Sequence, residues 1–191
     1  MSLRQCRRTA LALITFVVVV LVSGVDRLTA AEAAPAPVTP DNFTAPAPNS
    51  PDEPSAETFS LDAATRFLDA AALDWHAQRK CFTCHTNFAY LMSRPHAGGD
   101  LQAHDAVRGQ LEDLVETRWQ EEGPRWDAEV VMAAAALATG DALTSGKLAP
   151  VTRTALDRIW TVQRDDGGFD WLKCDWPPME IDDHYGATMA A

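Results

Sequence analysis

The chain is poor in positive charge. It has 191 residues, with 16 lysines and arginines against 27 aspartates and glutamates, and a formal net charge of −11. Residues 1–33 hold a surplus of two positive charges, so the remainder carries −13. A surface this acidic repels phosphate backbones and anionic lipids, which excludes nucleic acid as a partner recognised by charge alone.

The sequence also lacks strand patterns, because no run alternates apolar and polar residues over the length of a strand. This argues against a sheet-based redox fold of the thioredoxin type. After Phe59 the apolar residues recur at helical spacing instead. Ser60 is expected to cap a first helix, and later helices are expected to start at Asp100, Asp127 and Pro150. The apolar stripe of the first helix contains Leu61, Ala64, Leu68, Ala71 and Trp75. The fold class predicted is all-α.

Two of the expected helices resemble each other. Asp127 and Asp183 each precede a segment rich in alanine, and the first of these helices is expected to end at Gly140. The separation of the two segments suits an array of helical hairpins, although two unrelated capped helices would look the same. The chain stops within the second segment without a cap, which predicts that further repeats are missing on the C-terminal side.

The first 58 residues are not expected to contribute side chains to the folded core. Three arginines precede an apolar run over residues 10–22, which is short for a membrane span and has the layout of a secretory signal. We predict a signal peptide over residues 1–33, with an uncleaved membrane anchor as the alternative. Residues 34–58 are rich in proline and alanine and predict a disordered linker. The folded domain is then expected over residues 59–191, exported to the periplasm or cell envelope.

Cysteine is scarce, with four in the chain, and Cys6 lies within the predicted signal peptide. Cys81, Cys84 and His85 form the pattern C-x-x-C-H, and Cys174 has no evident partner in sequence. Two thiols at this spacing can bond to the vinyl groups of haem, and the adjacent histidine can ligate its iron. The motif therefore predicts a c-type haem. Zinc, a disulfide and no site are the alternatives, and no second C-x-x-C stands nearby to complete a zinc site.

A haem iron would have one further ligand position, which a methionine or histidine can take. Met179 lies after two prolines, which would hold its thioether rigidly. Met92, His96 and His104 are closer to the motif in sequence. If zinc were bound instead, its fourth ligand would be His76, His96 or His104.

A second motif, VQRDDGGFDW, covers residues 162–171. It resembles the repeats of the terpenoid cyclase and prenyltransferase family, in particular squalene–hopene cyclase-like proteins. The matching residues are Gln163, Gly167, Gly168, Phe169 and Trp171, with the tryptophan one place later than in the tightest form. The C-x-x-C-H motif is an addition to that pattern. The resemblance implies helical hairpins forming part of an α/α toroid. The expected partner is a hydrophobic small molecule or, for a haem protein in electron transfer, a redox partner.

The same resemblance extends to an acid motif. Glu180, Asp182 and Asp183 align with the Asp-x-Asp-Asp of the cyclases, with glutamate replacing the first aspartate and His184 following. In a cyclase, Asp182 would protonate an alkene with the help of its acidic neighbours. The alternative is a helix N-terminus at which the paired acids cap free N–H groups.

Three functions follow as expectations. The first is an exported, cyclase-like helical repeat protein that carries a covalent c-type haem, in electron transfer or as a haem-bearing binding module. The second is a triterpene cyclase-type isomerase with Asp182 as its acid. The third is a toroid scaffold that binds a partner without chemistry, so the sequence leaves open whether the protein is an enzyme.

Overall fold

A computed structural model describes residues 35–82, 86–117, 124–172 and 183–191. These ranges contain one 3₁₀ helix, Arg94–Ala97, and six α-helices. The α-helices are α1 (Leu61–Arg79), α2 (Asn87–Ser93), α3 (Gln102–Thr117), α4 (Pro124–Leu143), α5 (Pro150–Val162) and α6 (Asp183–Ala190). No strand forms within them, so the all-α class is confirmed, while the toroid and the signal peptide stay predictions. None of these helices is long and apolar enough to cross a membrane.

Helix α4 lies at the centre of the core and packs against α2, α5 and α6, while α1 packs mainly against α3. Small and branched side chains on α4 let its neighbours approach closely, as dense packing requires. Its buried apolar residues are Trp126, Ala128, Val130, Val131, Met132, Ala133, Ala134, Ala136 and Leu137.

Three of the expected helix starts are confirmed. The Ser60 hydroxyl accepts a hydrogen bond from the backbone N–H of Ala63 at 3.1 Å, as an N-cap does. The Asp100 carboxylate likewise accepts from the N–H of Gln102 at 2.9 Å. Pro150 occupies the first turn of α5, where its missing N–H costs nothing.

Helix α4 departs from the expected boundaries at both ends. It begins at Pro124, so Asp127 lies in its first turn and is not its cap. It also continues through Gly140 to Leu143. A Cβ atom at Gly140 would lie 3.0 Å from Nη1 of Arg108, so the glycine makes room for a neighbouring side chain and does not end the helix.

The apolar stripe of α1 is not its buried side. Leu61 and Leu68 are 51 % and 44 % exposed, whereas Asp69, Ala72 and Leu73 are buried. A buried aspartate is tolerated only when it is fully paired, and Asp69 has such partners. The apolar stripe therefore faces outward along part of its length.

Packing begins before the predicted start of the domain at residue 59. The compact unit that holds the helices starts at Pro37, Val38 belongs to the core, and Phe43 packs against it. Asn42 closes the turn between them, since its Oδ1 accepts from the N–H of Thr39 at 2.8 Å and its Nδ2 donates to the carbonyl of Pro37 at 2.9 Å. These contacts involve only the first residues of the predicted linker, whose boundaries stay predictions.

Candidate functional site

The C-x-x-C-H motif follows the C-terminal end of α1. Lys80 ends the helix in the left-handed conformation, with φ 50° and ψ 36°. Cys81 comes next and is partly buried, and its carbonyl accepts a hydrogen bond from Nε1 of Trp75 at 3.2 Å. Cys84 and His85 lie outside the described residues, so their placement relative to Cys81 stays a prediction.

One residue inside the motif and the residues shortly after it are buried in the core, whereas Lys80 before it is exposed. Phe82 and Phe88 are buried, and their ring centroids lie 5.4 Å apart. Asn87 is also buried and donates from Nδ2 to the carbonyl of Ala72 on α1 at 3.3 Å. The chain is therefore packed into the core at Phe82, within the motif, and again at the start of α2.

A buried ion pair ties α1 to the segment after α2. Nε and Nη2 of Arg94 donate to the two carboxylate oxygens of Asp69 at 2.7 and 3.0 Å. Arg94 also donates to the carbonyls of Gly98 and Asp100, at 2.7 and 2.6 Å. The two paired side chains belong to residues only 4 % and 5 % exposed. A buried pair this well hydrogen-bonded holds its elements in one geometry.

Tyr90 of α2 completes this network. Its hydroxyl donates to Oδ1 of Asp69 at 2.7 Å. Burial, together with the hydrogen bond to Asp69, raises the pKa of Tyr90 well above its ordinary value. The phenol therefore keeps its proton and acts as the donor throughout the physiological range.

An apolar cavity of about 320 Å³, the inter-helix cavity, lies between α1 and α2. Its lining residues are Leu68, Ala71, Ala72, Trp75, Thr86, Asn87, Ala89, Tyr90 and Ser93. It borders both ends of the motif, because Trp75 contacts the carbonyl of Cys81 and Thr86 directly follows His85. Mostly apolar walls with a few polar groups are typical of cofactor sites.

A second cavity of about 240 Å³, the His76 cavity, lies between the end of α1 and α3. Its lining residues are His76, Lys80, Phe82, Gln110, Asp113, Leu114 and Thr117. Nδ1 of His76 and Oε1 of Gln110 are buried, and neither has a hydrogen-bond partner within the described part of the chain. Burial lowers the pKa of His76, and the positive charge of Lys80 lowers it further. Both effects favour the neutral imidazole.

The other described candidates for an iron ligand have different surroundings. His104 is buried, and its Nε2 and Nδ1 lie 3.3 Å from the carbonyl of Leu91 and from a carboxylate oxygen of Asp105. His96 is exposed on the 3₁₀ helix. Met92 is partly buried and packs against the core. None of the three offers an uncommitted, buried donor atom beside Cys81.

The VQRDDGGFDW segment joins α5 to α6. Nε2 of Gln163 donates to the carbonyl of Gly167 at 3.0 Å, and the backbones of Gln163 and Phe169 form an isolated bridge. Gly167 has φ 84°, a conformation that favours glycine. Trp171 is fully buried, and a Cβ atom on Gly186 of α6 would lie 2.7 Å from its ring. Glutamine, glycine and tryptophan thus act together in one junction between helices.

Asp183 is the first residue of α6 and accepts from Nη1 of Arg164 at 2.8 Å. The same guanidinium pairs with Asp166 and Asp170, at 3.1 and 2.8 Å. An adjacent guanidinium stabilises an ionised carboxylate at the start of the helix. This environment favours the structural interpretation of Asp183.

The remaining predicted site residues, Cys174, Met179, Glu180 and Asp182, lie outside the described residues. Among the residues that are described, no three His, Cys, Asp or Glu side chains are grouped so as to hold a metal ion. Sequence reasoning missed the cavity that His76 and Gln110 both line, because the two residues are distant in the chain and no local pattern connects them.

Comparison with known proteins gives no match, whether to a family model, to a curated protein or to a solved structure. The resemblance to squalene–hopene cyclase-like proteins therefore stays a prediction, carried by residues 162–171 and the acid motif.

Proposed function

We propose that this chain is an exported, cyclase-like helical repeat protein that holds a covalent c-type haem through Cys81, Cys84 and His85. It would act in electron transfer or as a haem-bearing binding module, with a redox partner or a hydrophobic small molecule as its ligand. The observation that carries the proposal is the C-x-x-C-H motif, which contains the buried Phe82 and is followed closely by the buried Asn87 and Phe88. Once bound, the haem would supply an iron that gains and loses single electrons.

The described residues fit such a group. The inter-helix cavity borders the motif, and its walls include the rings of Trp75 and Tyr90 and the small side chains of Ala71 and Ala89. Apolar walls of this kind limit the access of water, which is one of the means by which a protein sets the properties of a haem. Leu68, partly exposed, belongs to the same lining and extends the apolar surface outward.

The buried network positions these walls. Tyr90 lines the cavity and its hydroxyl donates a hydrogen bond to Asp69, which also accepts hydrogen bonds from Arg94. The network thereby fixes α2 against α1 across the cavity. A site built on helices held in this way keeps its shape without a ligand, so less ordering is needed when one binds.

Zinc at the same motif is the alternative cofactor, and it would need a fourth ligand from elsewhere in the chain. Cyclase activity stays an untested alternative, because its acid, Asp182, lies outside the described residues. The described member of the acid motif, Asp183, is paired with Arg164, and such a pair stabilises the ionised carboxylate.

The experiment is maturation of the full chain in cells that carry a cytochrome c maturation system. We expect the purified protein to be coloured and to keep its colour after acid–acetone extraction, because thioether bonds survive that treatment. The double variant Cys81→Ser, Cys84→Ser should be colourless, whereas Cys174→Ser, the matched control, should be coloured. A colourless wild type, from cells in which a control cytochrome matures, would refute the haem proposal. The zinc content of that protein would be the next measurement.

A further inference from the structure

We propose that the His76 cavity binds a free amino acid with an apolar side chain. This site goes beyond the haem and does not depend on it. Among the described residues, the inter-helix cavity and the His76 cavity have no lining residue in common. Four features carry the proposal: two polar atoms without partners, two opposite charges, an apolar wall and a backbone conformation that lysine rarely adopts.

The two polar atoms belong to side chains that line the cavity. Nδ1 of His76 and Oε1 of Gln110 are buried and have no hydrogen-bond partner in the described ranges. Buried polar atoms are nearly always hydrogen-bonded, so two exceptions at one cavity indicate that a bound molecule supplies the partners. The last torsions of histidine and glutamine are broad, and a small rotation turns either atom toward such a molecule at little cost.

The two opposite charges lie on the solvent-exposed side of the cavity. Lys80 and Asp113 are both exposed, and both belong to its lining. An amino acid carries a carboxylate and an ammonium group on the same carbon atom, so one small molecule can pair with both. Its carboxylate would accept hydrogen bonds from Lys80 and His76. Its ammonium group would donate to Asp113 and to Oε1 of Gln110.

The protonation of His76 suits this arrangement. Burial lowers the pKa of His76, and the positive charge of Lys80 lowers it further, which favours the neutral imidazole. A neutral imidazole carries a proton on one of its two nitrogens. With that proton on Nδ1, His76 donates to the bound carboxylate without placing a second positive charge beside Lys80.

The apolar wall and the size of the cavity set the rest of the ligand. Phe82, which is buried, and Leu114, which is partly buried, belong to the lining and offer contact to an apolar side chain. The volume is about 240 Å³. Cavities for drug-sized ligands have volumes of about 300–1,000 Å³, so a molecule of fewer atoms is expected here.

Lys80 is held in a conformation that disfavours lysine. Among the described residues it alone has a positive φ without being a glycine, with φ 50° and ψ 36°. Glycine is the usual residue at this position after a helix, because a side chain there is strained. Strained residues cluster at functional sites. Lysine at this position gives the cavity an ammonium group that glycine could not supply.

Isothermal titration calorimetry of the exported protein with L-leucine tests the proposal. We expect a Kd of about 1 mM or below, within what a ligand of this size can reach. Two matched probes, 4-methylpentanoate and 3-methylbutylamine, keep the branched chain of leucine but only one of its charges. Each should bind at least about tenfold more weakly, because each lacks one charged hydrogen-bonding group.

Variants of the lining locate the site. Lys80→Gly should weaken L-leucine binding at least about tenfold and also raise Tm, because glycine relieves the strained conformation. Gln110→Leu removes the oxygen without a partner and should weaken binding too. Lys147→Ala, the matched control, removes an exposed lysine elsewhere and should leave the Kd unchanged.

Absence of binding by all three probes at about ten times the expected Kd would overturn the proposal and leave ordered water as the content of the cavity. Equal binding of either single-charge probe would overturn an amino acid as the ligand. L-leucine binding that Lys80→Gly leaves unchanged would overturn the site, whether or not Gln110→Leu folds. A colourless protein that binds L-leucine refutes the haem alone, and a coloured protein that binds none of the probes refutes this site alone.

Discussion

The buried carboxylate of Asp69 offers a quantitative test of how the two helices beside the motif are held together. Asp69→Ala would remove both hydrogen bonds from Arg94 to the carboxylate and the one from Tyr90. The guanidinium would keep its bonds to Gly98 and Asp100, but its charge would lie buried without a counter-ion.

Removing one partner of such a pair costs about 3–5 kcal/mol of the free energy of unfolding. For a domain of this size that loss corresponds to a fall in Tm on the order of 10 °C. Urea unfolding of the full chain, followed by circular dichroism, measures it. The matched control is Asp157→Ala, which removes an exposed aspartate from α5 and should change the free energy by no more than about 0.5 kcal/mol.

The double variant Asp69→Leu, Arg94→Met sharpens the test. Replacing both charges by apolar groups leaves no uncompensated charge, so much of the lost stability should return. The reasoning is refuted if Asp69→Ala lowers the free energy of unfolding by less than about 1 kcal/mol, because the ion pair would then contribute little to holding α1 in place.

Three further predictions concern other parts of the chain. Gly186→Ala should cost about 1–3 kcal/mol by crowding the ring of Trp171, whereas Gly109→Ala, with open space around it, should be neutral or stabilising in the same urea titration. The raised pKa of Tyr90 contributes stability that is complete below the ordinary tyrosine value of about 10 and is lost as the pH rises above it. Wild type should therefore lose stability faster than Tyr90→Phe in alkaline urea titrations, and parallel curves would contradict this. Mass spectrometry of exported protein should show a new N-terminus within residues 25–34, and an intact Met1 on membrane-bound protein would indicate an anchor.

The helices could be predicted where their signals are local. Ser60, Asp100 and Pro150 act on the backbone within a few residues, and all three mark helix starts as expected. The prediction that Gly140 ends α4 was wrong, because the glycine makes room for Arg108 from a different helix. Whether a glycine ends a helix or makes room for a neighbour depends on tertiary packing, which no short window of sequence contains.

The orientation of α1 is also set by tertiary packing and could not be predicted from its own sequence. Apolar spacing alone points to Leu61 and Leu68 as the buried side, yet Asp69 is buried because Arg94 and Tyr90 reach it from beyond the motif. The haem prediction rests on the spacing C-x-x-C-H, which brings two thiols and an imidazole close together in sequence. The cavities beside the motif could not be predicted from the sequence, because each forms only where two helices meet.

The intact mass of the matured protein tests the central claim most directly. After export from cells with a working cytochrome c maturation system, the denatured wild-type chain should be heavier than its processed sequence by the mass of one haem. The Cys81→Ser, Cys84→Ser variant from the same cells should have the mass of the processed sequence alone. A wild-type chain without the added mass, while a control cytochrome in those cells carries its haem, would contradict the account.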